Sequence, residues 1–216
     1  MIRSVGHLPR VFVLVASLGT AWCAGAEAYL SPQAIVASPD GAALYVALGG
    51  RNTVAVWDVA AGAVARQFDT PGEPTGLAVS ADGATLCVTC NGSPGAVAVV
   101  DAATGAVVKT VAAGNHPISP VLSLDGRTVW VCNRFDDAVV AIDFEQGTEV
   151  SSISVLREPV AAGITPDGAR LFVANLLPAG RSDVDFCAAV VSVIDTAAVS
   201  YTHLRAHETV LDLVCR

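Results

Sequence analysis

A repeat of 42 to 43 residues constrains this chain more than any other feature. Asp-Gly pairs begin at positions 40, 82, 125 and 167, and prolines at 32, 74, 117 and 159 follow the same steps. Each unit contains four short apolar stretches, and such a period is typical of β-propeller blades. We therefore predict an all-β propeller of four-stranded blades, with about three and a half blades and an incomplete ring.

The first unit shows how one blade is built. We place its strands at Ala34–Ser38, Leu44–Leu48, Thr53–Asp58 and Ala63–Phe68. The Asp-Gly pair joins the first two strands, because Gly supplies the positive φ of a tight turn and the Asp carboxylate closes an Asx-turn. Backbone geometry alone accounts for these repeated aspartates, so we interpret them as scaffold residues rather than metal ligands.

The strand sequences carry a family resemblance. The second strands read LYVAL, LCVTC, VWVCN and LFVAN, and the third strands read VAVWD, VAVVD, VVAID and VSVID. Together with SPDG, this pattern resembles the YVTN family of β-propeller repeats over nearly all of residues 27–198. The resemblance implies an exported, non-enzymatic scaffold that binds a protein or a small ligand.

Related propellers also house haem, quinone or metal cofactors, which defines an alternative from another class. The chain would then be the propeller portion of a periplasmic oxidoreductase or electron-transfer protein, with its cofactor ligands outside this sequence. The sequence itself encodes no Cys-x-x-Cys-His motif, phosphate-binding loop or nucleophile elbow. The cofactor therefore stays unknown, and an enzyme is the less favoured interpretation.

Residues 1–26 have the organisation of a secretory signal peptide. Arg3 and Arg10 are basic, Val11–Trp22 is apolar, and Ala24-Gly25-Ala26 is a small-residue cleavage site. We predict cleavage after Ala26, with Ala28 as the second choice, and an extracytoplasmic location in the periplasm, in the medium or at the cell surface. No later apolar run approaches the roughly 20 residues that a transmembrane helix needs.

The net charge disfavours one class of partner. Between the predicted signal peptide and residue 199, the chain has eight basic and eighteen acidic residues, a net charge of about −10. Such a surface repels phosphate backbones. We therefore expect no nucleic-acid partner.

The last eighteen residues, VSYTHLRAHETVLDLVCR, differ from everything before them. Residues 199–204 resemble the in-frame translation of a transposase-based sequencing adapter, and the repeat breaks off in the turn before them. We predict that residues 199–216 are a non-native, helix-like tail. The alternative is a native C-terminal helix capping the last blade, which would place His203 and His207 on one face at a spacing suited to a metal.

Four cysteines lie between the signal peptide and the tail. Cys87 and Cys90 share one predicted strand and are roughly 10 Å apart, too far to bridge each other. Cys132–Cys187 and Cys90–Cys132 are the candidate disulfides, although buried free thiols are favoured.

The most variable loops indicate where a binding site would be. In a propeller, the connections from strand two to three and from strand four to the next blade lie on one face, and loops on a rigid scaffold commonly carry binding residues. An insertion in blade four falls on this face; its two carboxylates are too few for a calcium site, and we predict no metal centre. The candidate binding residues are Arg51, Asn52, Asn91, His116, Asn133, Arg134, Asn175, Arg181, Asp183 and Asp185.

Overall fold

A computed structural model of the protein describes residues 30–177, 190–198 and 200–205, and it contains sixteen strands in four antiparallel sheets. The strands are β1 (Pro32–Ala37), β2 (Ala43–Leu48), β3 (Thr53–Asp58), β4 (Ala63–Asp69), β5 (Glu73–Val79), β6 (Thr85–Asn91), β7 (Gly95–Asp101), β8 (Val107–Ala113), β9 (Pro117–Leu122), β10 (Thr128–Asn133), β11 (Ala138–Asp143), β12 (Thr148–Ser154), β13 (Pro159–Ile164), β14 (Arg170–Asn175), β15 (Val190–Asp195) and β16 (Ser200–Arg205). Each sheet takes four consecutive strands in chain order and forms one blade. The predicted all-β fold of four-stranded blades is confirmed.

The first turn of each blade is closed by the same hydrogen bonds, as the repeat predicts. In blade 2, the Ser80 hydroxyl donates to Asp82 Oδ1 at 2.5 Å and accepts the Thr85 amide at 2.9 Å. Asp82 Oδ1 also accepts the Ala84 amide at 3.0 Å, and Gly83 has a φ of +72°. Ser or Thr two residues before the Asp forms the same bonds in the other three blades. The turn thus satisfies its own polar groups.

The core consists of three clusters, one between each pair of neighbouring blades. Val54 and Leu86 meet between blades 1 and 2, Val97 and Val131 between blades 2 and 3, and Val139 with Leu171 between blades 3 and 4. Fully burying a side chain of this size contributes about 1.5–3 kcal/mol. Contacts between blades therefore supply much of the stability.

Two cations tie neighbouring blades at the outer edge. Arg66 on β4 donates to the carbonyls of Ala102 and Ala103 in blade 2, and Lys109 on β8 donates to the carbonyl of Glu145 in blade 3. Ser151 on β12 occupies the equivalent position in blade 3. Its hydroxyl is buried and has no hydrogen-bond partner among the described residues.

The prediction of a helix-like tail is wrong for residues 200–205. These residues form β16, which pairs antiparallel with β15 from Asp195–Ser200 to Val190–Arg205. An unpaired β15 would leave a row of backbone donors and acceptors open, and the sequence Tyr-Thr suits a strand. His203 therefore does not lie on a helix, and His207 lies outside the described residues. Blade 4 has four strands rather than part of a blade.

The cysteines of β6 and β10 are free and buried. Cys90 packs between blades 1 and 2, whereas Cys132 packs between blades 3 and 4, so the candidate Cys90–Cys132 bridge is not formed. Burial raises the pKa of Cys87 and Cys132 to about 12 and that of Cys90 to about 11. Cys187, the other candidate partner of Cys132, lies outside the described residues.

The part of the chain that the structure describes contains no helix long and apolar enough to cross a bilayer.

Candidate binding face

The propeller has two faces of different construction. On one face, which we call the turn face, the connection between the first and second strands of a blade lies beside the connection between its third and fourth strands. In blade 2, for example, the Ala102 amide donates to the Ala84 carbonyl at 2.9 Å. On the other, which we call the loop face, the second-to-third connections meet the connections between blades. There the Arg134 amide donates to the carbonyl of His116 at 3.2 Å. The predicted clustering of these two kinds of loop on one face is therefore observed.

The β10–β11 connection, residues 134–137, lies between both neighbouring inter-blade loops and fastens them. Asp136 Oδ2 accepts the amide of Asn115 at 2.6 Å, from the loop that enters blade 3. Asp137 Oδ1 accepts the amide of Glu158 at 2.8 Å, from the loop that leaves blade 3. Charged acceptors make stronger hydrogen bonds than neutral ones. The connection therefore has a fixed conformation on the loop face.

Phe135 is presented to solvent by this connection. Its side chain is 55% exposed. The ring of His116 lies against it with centroids 5.0 Å apart, and the Arg134 guanidinium lies 5.2 Å from its centroid. Such a distance permits a cation–π interaction. Phe135 is thus an exposed aromatic side chain supported from two sides.

Arg134 is itself held in place by Glu158. Its Nε and Nη2 donate to Glu158 Oε2 at 3.0 and 2.7 Å. Leu176, at the equivalent loop position in blade 4, is 51% exposed, and its amide donates to the Glu158 carbonyl at 2.8 Å. The ion pair therefore lies in a surface that also presents two apolar side chains, Phe135 and Leu176.

A cavity of about 550 Å³ lies among the first strands of all four blades, beside this ion pair. Ser119 and Thr75 are among its polar lining residues, but both hydroxyls are already hydrogen-bonded to backbone groups. Ser119 Oγ accepts the Ala162 amide at 2.9 Å, and Thr75 donates to the Pro117 carbonyl at 2.5 Å. The lining residues are Gln33, Ala34, Thr75, Gly76, Leu77, His116, Ile118, Ser119, Pro120, Arg134, Val160 and Ala162.

His116 lines the cavity in its neutral form at pH 7. Partial burial lowers its pKa below the ordinary value, and the positive charge of Arg134 acts in the same direction. The carboxylate of Glu73 opposes them with a smaller effect. A neutral imidazole offers one donor and one acceptor, so the cavity suits an uncharged polar group better than an anion.

Of the predicted site residues that the structure describes, His116 and Arg134 line this cavity. Arg51 is exposed at the end of a 3₁₀ turn, and Asn52 follows it in the left-handed region with a φ of 53°. Asn91 donates to Glu73 Oε2 at 3.4 Å.

Asn133 and Asn175 are buried at equivalent positions, the ends of β10 and β14. The Asn175 amide nitrogen donates to the Val190 carbonyl at 2.9 Å and to Ser192 Oγ at 3.0 Å. Asn133 and Asn175 are 2% and 3% exposed, so neither amide is open to a ligand on the surface. Arg181, Asp183 and Asp185 lie outside the described residues.

Sequence reasoning did not select Phe135 or Glu158. Phe135 is one of two aromatic residues in the loops after the second strands of the four repeats, the other being Phe186 in the blade-four insertion, and this difference from the first two repeats was the available signal. Glu158 precedes a repeat proline, as His116 does, and both have a positive φ. Nothing local in the sequence indicates that Glu158 pairs with Arg134 from the preceding blade.

Across residues 30–177 and 190–198, no three His, Cys, Asp or Glu side chains come together as metal ligands would.

No protein-family model and no curated protein matches this sequence. Among solved structures, the chain is similar to Kuenenia stuttgartiensis hydrazine synthase, with 27% identity and a TM-score of 0.70 over 81% of this chain and 49% of that chain. It is also similar to U3-55K, with 15% identity and a TM-score of 0.66 over 81% of this chain and 52% of the other. The RRP9 WD40 repeats match with 16% identity and a TM-score of 0.67 over 82% and 52%.

These similarities define the class of protein: the fold is a β-propeller. The chain spans about half the length of the solved chains that it matches. The two WD40-type structures support the fold alone at their level of identity. Membership of the YVTN family stays a prediction, because no family model matches.

Proposed function

We propose that this chain is an exported binding scaffold that docks a protein partner on its loop face. The observation that carries the proposal is Phe135, an aromatic side chain that is 55% exposed on a connection fixed by Asp136, Asp137 and the Arg134–Glu158 pair. Trp, Tyr and Arg dominate binding hot spots, and aromatic residues are enriched at interfaces in general. A rigid aromatic residue also loses little conformational entropy on binding.

The surroundings of Phe135 support a protein partner. Leu176 adds a second apolar contact, and the adjacent cavity of about 550 Å³ accepts one side chain of the partner or a small uncharged ligand. The acidic surface opposes nucleic acid. Export follows from the predicted signal peptide of residues 1–26, and it places the partner outside the cytoplasm.

The experiment uses a phage-displayed peptide library selected on the immobilised purified chain. We expect the selected peptides to converge on the loop face and to bind the Phe135→Ala variant at least about tenfold more weakly, because truncating a hot-spot aromatic residue costs about 2 kcal/mol or more and about 1.4 kcal/mol corresponds to a factor of ten. Val108→Ala is the matched control, since Val108 is 67% exposed and lies at the turn-face end of β8, away from the loop face. Peptides that bind both variants equally would refute the proposal.

A second candidate is the propeller portion of an oxidoreductase or electron-transfer protein. The 27% identity with Kuenenia stuttgartiensis hydrazine synthase favours it, since the other two solved structures share less sequence. Its cofactor ligands would have to come from further sequence. Long-read sequencing of the source DNA beyond codon 198, prepared without a transposase, tests this candidate: a Cys-x-x-Cys-His motif would favour it, and a continuation without any cofactor motif would count against it.

A further inference from the structure

The cavity on the loop face has polar side chains on opposite sides and aliphatic side chains between them. Gln33 lies in its wall from blade 1 and Ser119 from blade 3, while His116 and Arg134 belong to the connections before β9 and after β10. Ile118 is one of the aliphatic lining residues. The volume of about 550 Å³ is that of a site for a small ligand.

Two of the polar lining residues keep hydrogen-bonding groups unused. The ring of His116 lies against Phe135 and forms no hydrogen bond within the described part of the chain, so its two nitrogens offer one donor and one acceptor. Arg134 directs Nε and Nη2 at Glu158, which leaves the donors on Nη1 without a partner among the described residues. Both side chains are fixed by these contacts before any ligand arrives.

The other two polar residues add one donor and one acceptor. Ser119 Oγ accepts the Ala162 amide at 2.9 Å, so the Ser119 hydroxyl still has its own proton to donate. Gln33 donates from Nε2 to Ser31 Oγ at 3.1 Å, and its carbonyl oxygen remains an acceptor. The wall therefore presents both kinds of hydrogen-bonding group, and it presents them from separate blades.

The backbone at Ser119 departs from the other three repeats. Ser119 has a φ of 48° and is the only residue of the four first strands with a positive φ. The β9–β10 ladder is irregular between Trp130 and Cys132, opposite Ser119. Gly76 packs against this segment so closely that an added Cβ would lie 2.5 Å from Pro120. Strained backbone that is held by its surroundings clusters at functional sites.

The charges of the cavity favour an uncharged ligand. Arg134 has the only formal charge among the described lining residues, and Glu158 compensates it at 2.7 Å. His116 is neutral at pH 7, because partial burial lowers its pKa. A charged ligand would lose hydration without meeting an unpaired charge of opposite sign, and this loss is costly.

We propose that this cavity binds a neutral sugar. Each hydroxyl of a sugar both donates and accepts, so one ring can satisfy donors and acceptors on opposite sides of the cavity. Its C–H groups would contact the aliphatic lining, including Leu77 and Ile118. A ligand with a single polar group would leave the other side unpaired. The inference rests on the proposed function in treating the loop face as a binding face, but it needs no docked protein.

The test is a ligand-observed NMR titration of the purified full chain. The probes are D-glucose, D-galactose and D-mannose, each compared with its uronate and its amino sugar, which share the ring and differ in charge. We expect at least one neutral sugar to bind at millimolar concentration. Its two charged forms should bind at least about tenfold more weakly, because the cavity offers no unpaired counter-charge.

Three variants locate the bound sugar. Gln33→Leu and His116→Leu change opposite sides of the cavity, and each should weaken binding about tenfold by leaving a sugar hydroxyl unpaired. His116→Asn keeps a donor, an acceptor and a tolerance for positive φ, so it should retain most of the affinity. Leu176→Ala is the matched control, since Leu176 lies on the same face but outside the lining. Circular dichroism establishes that the variants fold.

The results also separate this inference from the proposed function. If none of the three neutral sugars binds, or if the charged forms bind equally well, the sugar site is refuted. Binding that survives both Gln33→Leu and His116→Leu would place the sugar elsewhere and overturn the assignment. Leu176→Ala should weaken the selected peptides and leave sugar binding unchanged, so peptide docking and sugar binding fail or succeed independently.

Discussion

The turn face and the loop face are built from the same four repeats, yet they differ in how their polar groups are satisfied. On the turn face, each Asp-Gly turn bonds to itself, and all four blades use the same atoms. On the loop face, backbone bonds also recur, as from the Arg134 amide to the His116 carbonyl and from the Leu176 amide to the Glu158 carbonyl. The side-chain bonds there differ from blade to blade, as those of Asp136 and Asp137 show. A face whose side-chain bonds repeat maintains the fold, whereas a face whose side chains differ between blades is available for recognition.

The largest expected effect comes from filling space on the turn face. Gly105, in the β7–β8 turn, has a φ of +78°, and an added Cβ would lie 2.8 Å from Phe68. We expect Gly105→Ala to reduce the free energy of unfolding by about 2–4 kcal/mol, because backbone strain and overpacking add.

Gly62 provides the matched control for this substitution. It occupies the equivalent position in blade 1 with a φ of +63°, but nothing lies within 4 Å of an added Cβ. We expect Gly62→Ala to cost only about 1–2 kcal/mol, from the backbone alone. Urea denaturation measures both, and equal losses would contradict the packing argument. Neither substitution should change peptide binding to Phe135.

A smaller effect on stability, with a larger effect on binding, is expected on the loop face. Arg134→Ala removes a partly exposed ion pair, so the free energy of unfolding should fall by about 1 kcal/mol or less. Peptides selected on the loop face should bind this variant more weakly, because Phe135 loses one of its two supports.

Arg157→Ala is the control for Arg134→Ala, since Arg157 is an exposed arginine on the neighbouring inter-blade loop. Calorimetry and a binding titration on the same samples separate the two readouts. If Arg134→Ala lowered stability strongly and left peptide binding intact, the division of labour between the faces would be wrong.

The smallest expected effect is a difference between the two faces in how they make stability depend on pH. Hydrogen bonds from Ser80 and from the Ala84 amide lower the pKa of Asp82, and the Asp of each equivalent turn behaves in the same way. A lowered pKa in the folded state stabilises the protein above the unfolded pKa, and this contribution is lost as the pH falls through the folded value. Protonation of these turn-face aspartates should therefore lower the free energy of unfolding only below about pH 4.

Ser80→Ala tests the origin of this acid sensitivity. It removes the largest cause of the lowered Asp82 pKa, so the melting temperature should fall less steeply between pH 4 and pH 2 than in the wild type. His116 on the loop face behaves differently, since its lowered pKa means that protonation opposes folding as the pH falls below about 6.5. His116→Asn should remove that loss of stability and leave the fall in melting temperature between pH 4 and pH 2 unchanged.

The sequence was sufficient for the scaffold because the scaffold is periodic. The Asp-Gly spacing predicted the blades, and the predicted strand Thr53–Asp58 agrees with β3 residue for residue. The loop face was predicted only as a location. Phe135, Glu158 and Asp137 act through contacts between blades, and no pattern within one repeat encodes which neighbour a side chain meets.

Two further differences have the same origin. The tail looked helical because its apolar spacing was considered alone, whereas an open strand edge in blade 4 pairs with residues 200–205. Cys90 and Cys132 looked like neighbours in adjacent repeats, but a shift of one strand position between them sends their side chains to opposite faces of the blades.

The row of cationic ties at the rim has a mechanical consequence. At the rim, Arg66 and Lys109 fasten the first and second junctions to backbone carbonyls, whereas among the described residues the third junction has the buried Ser151 hydroxyl at that position. The third junction is tied instead at its inner side, where Ser119 Oγ accepts the Ala162 amide at 2.9 Å. Under a pulling force, the third junction would therefore open from the rim inward, while the first two junctions resist at the rim itself.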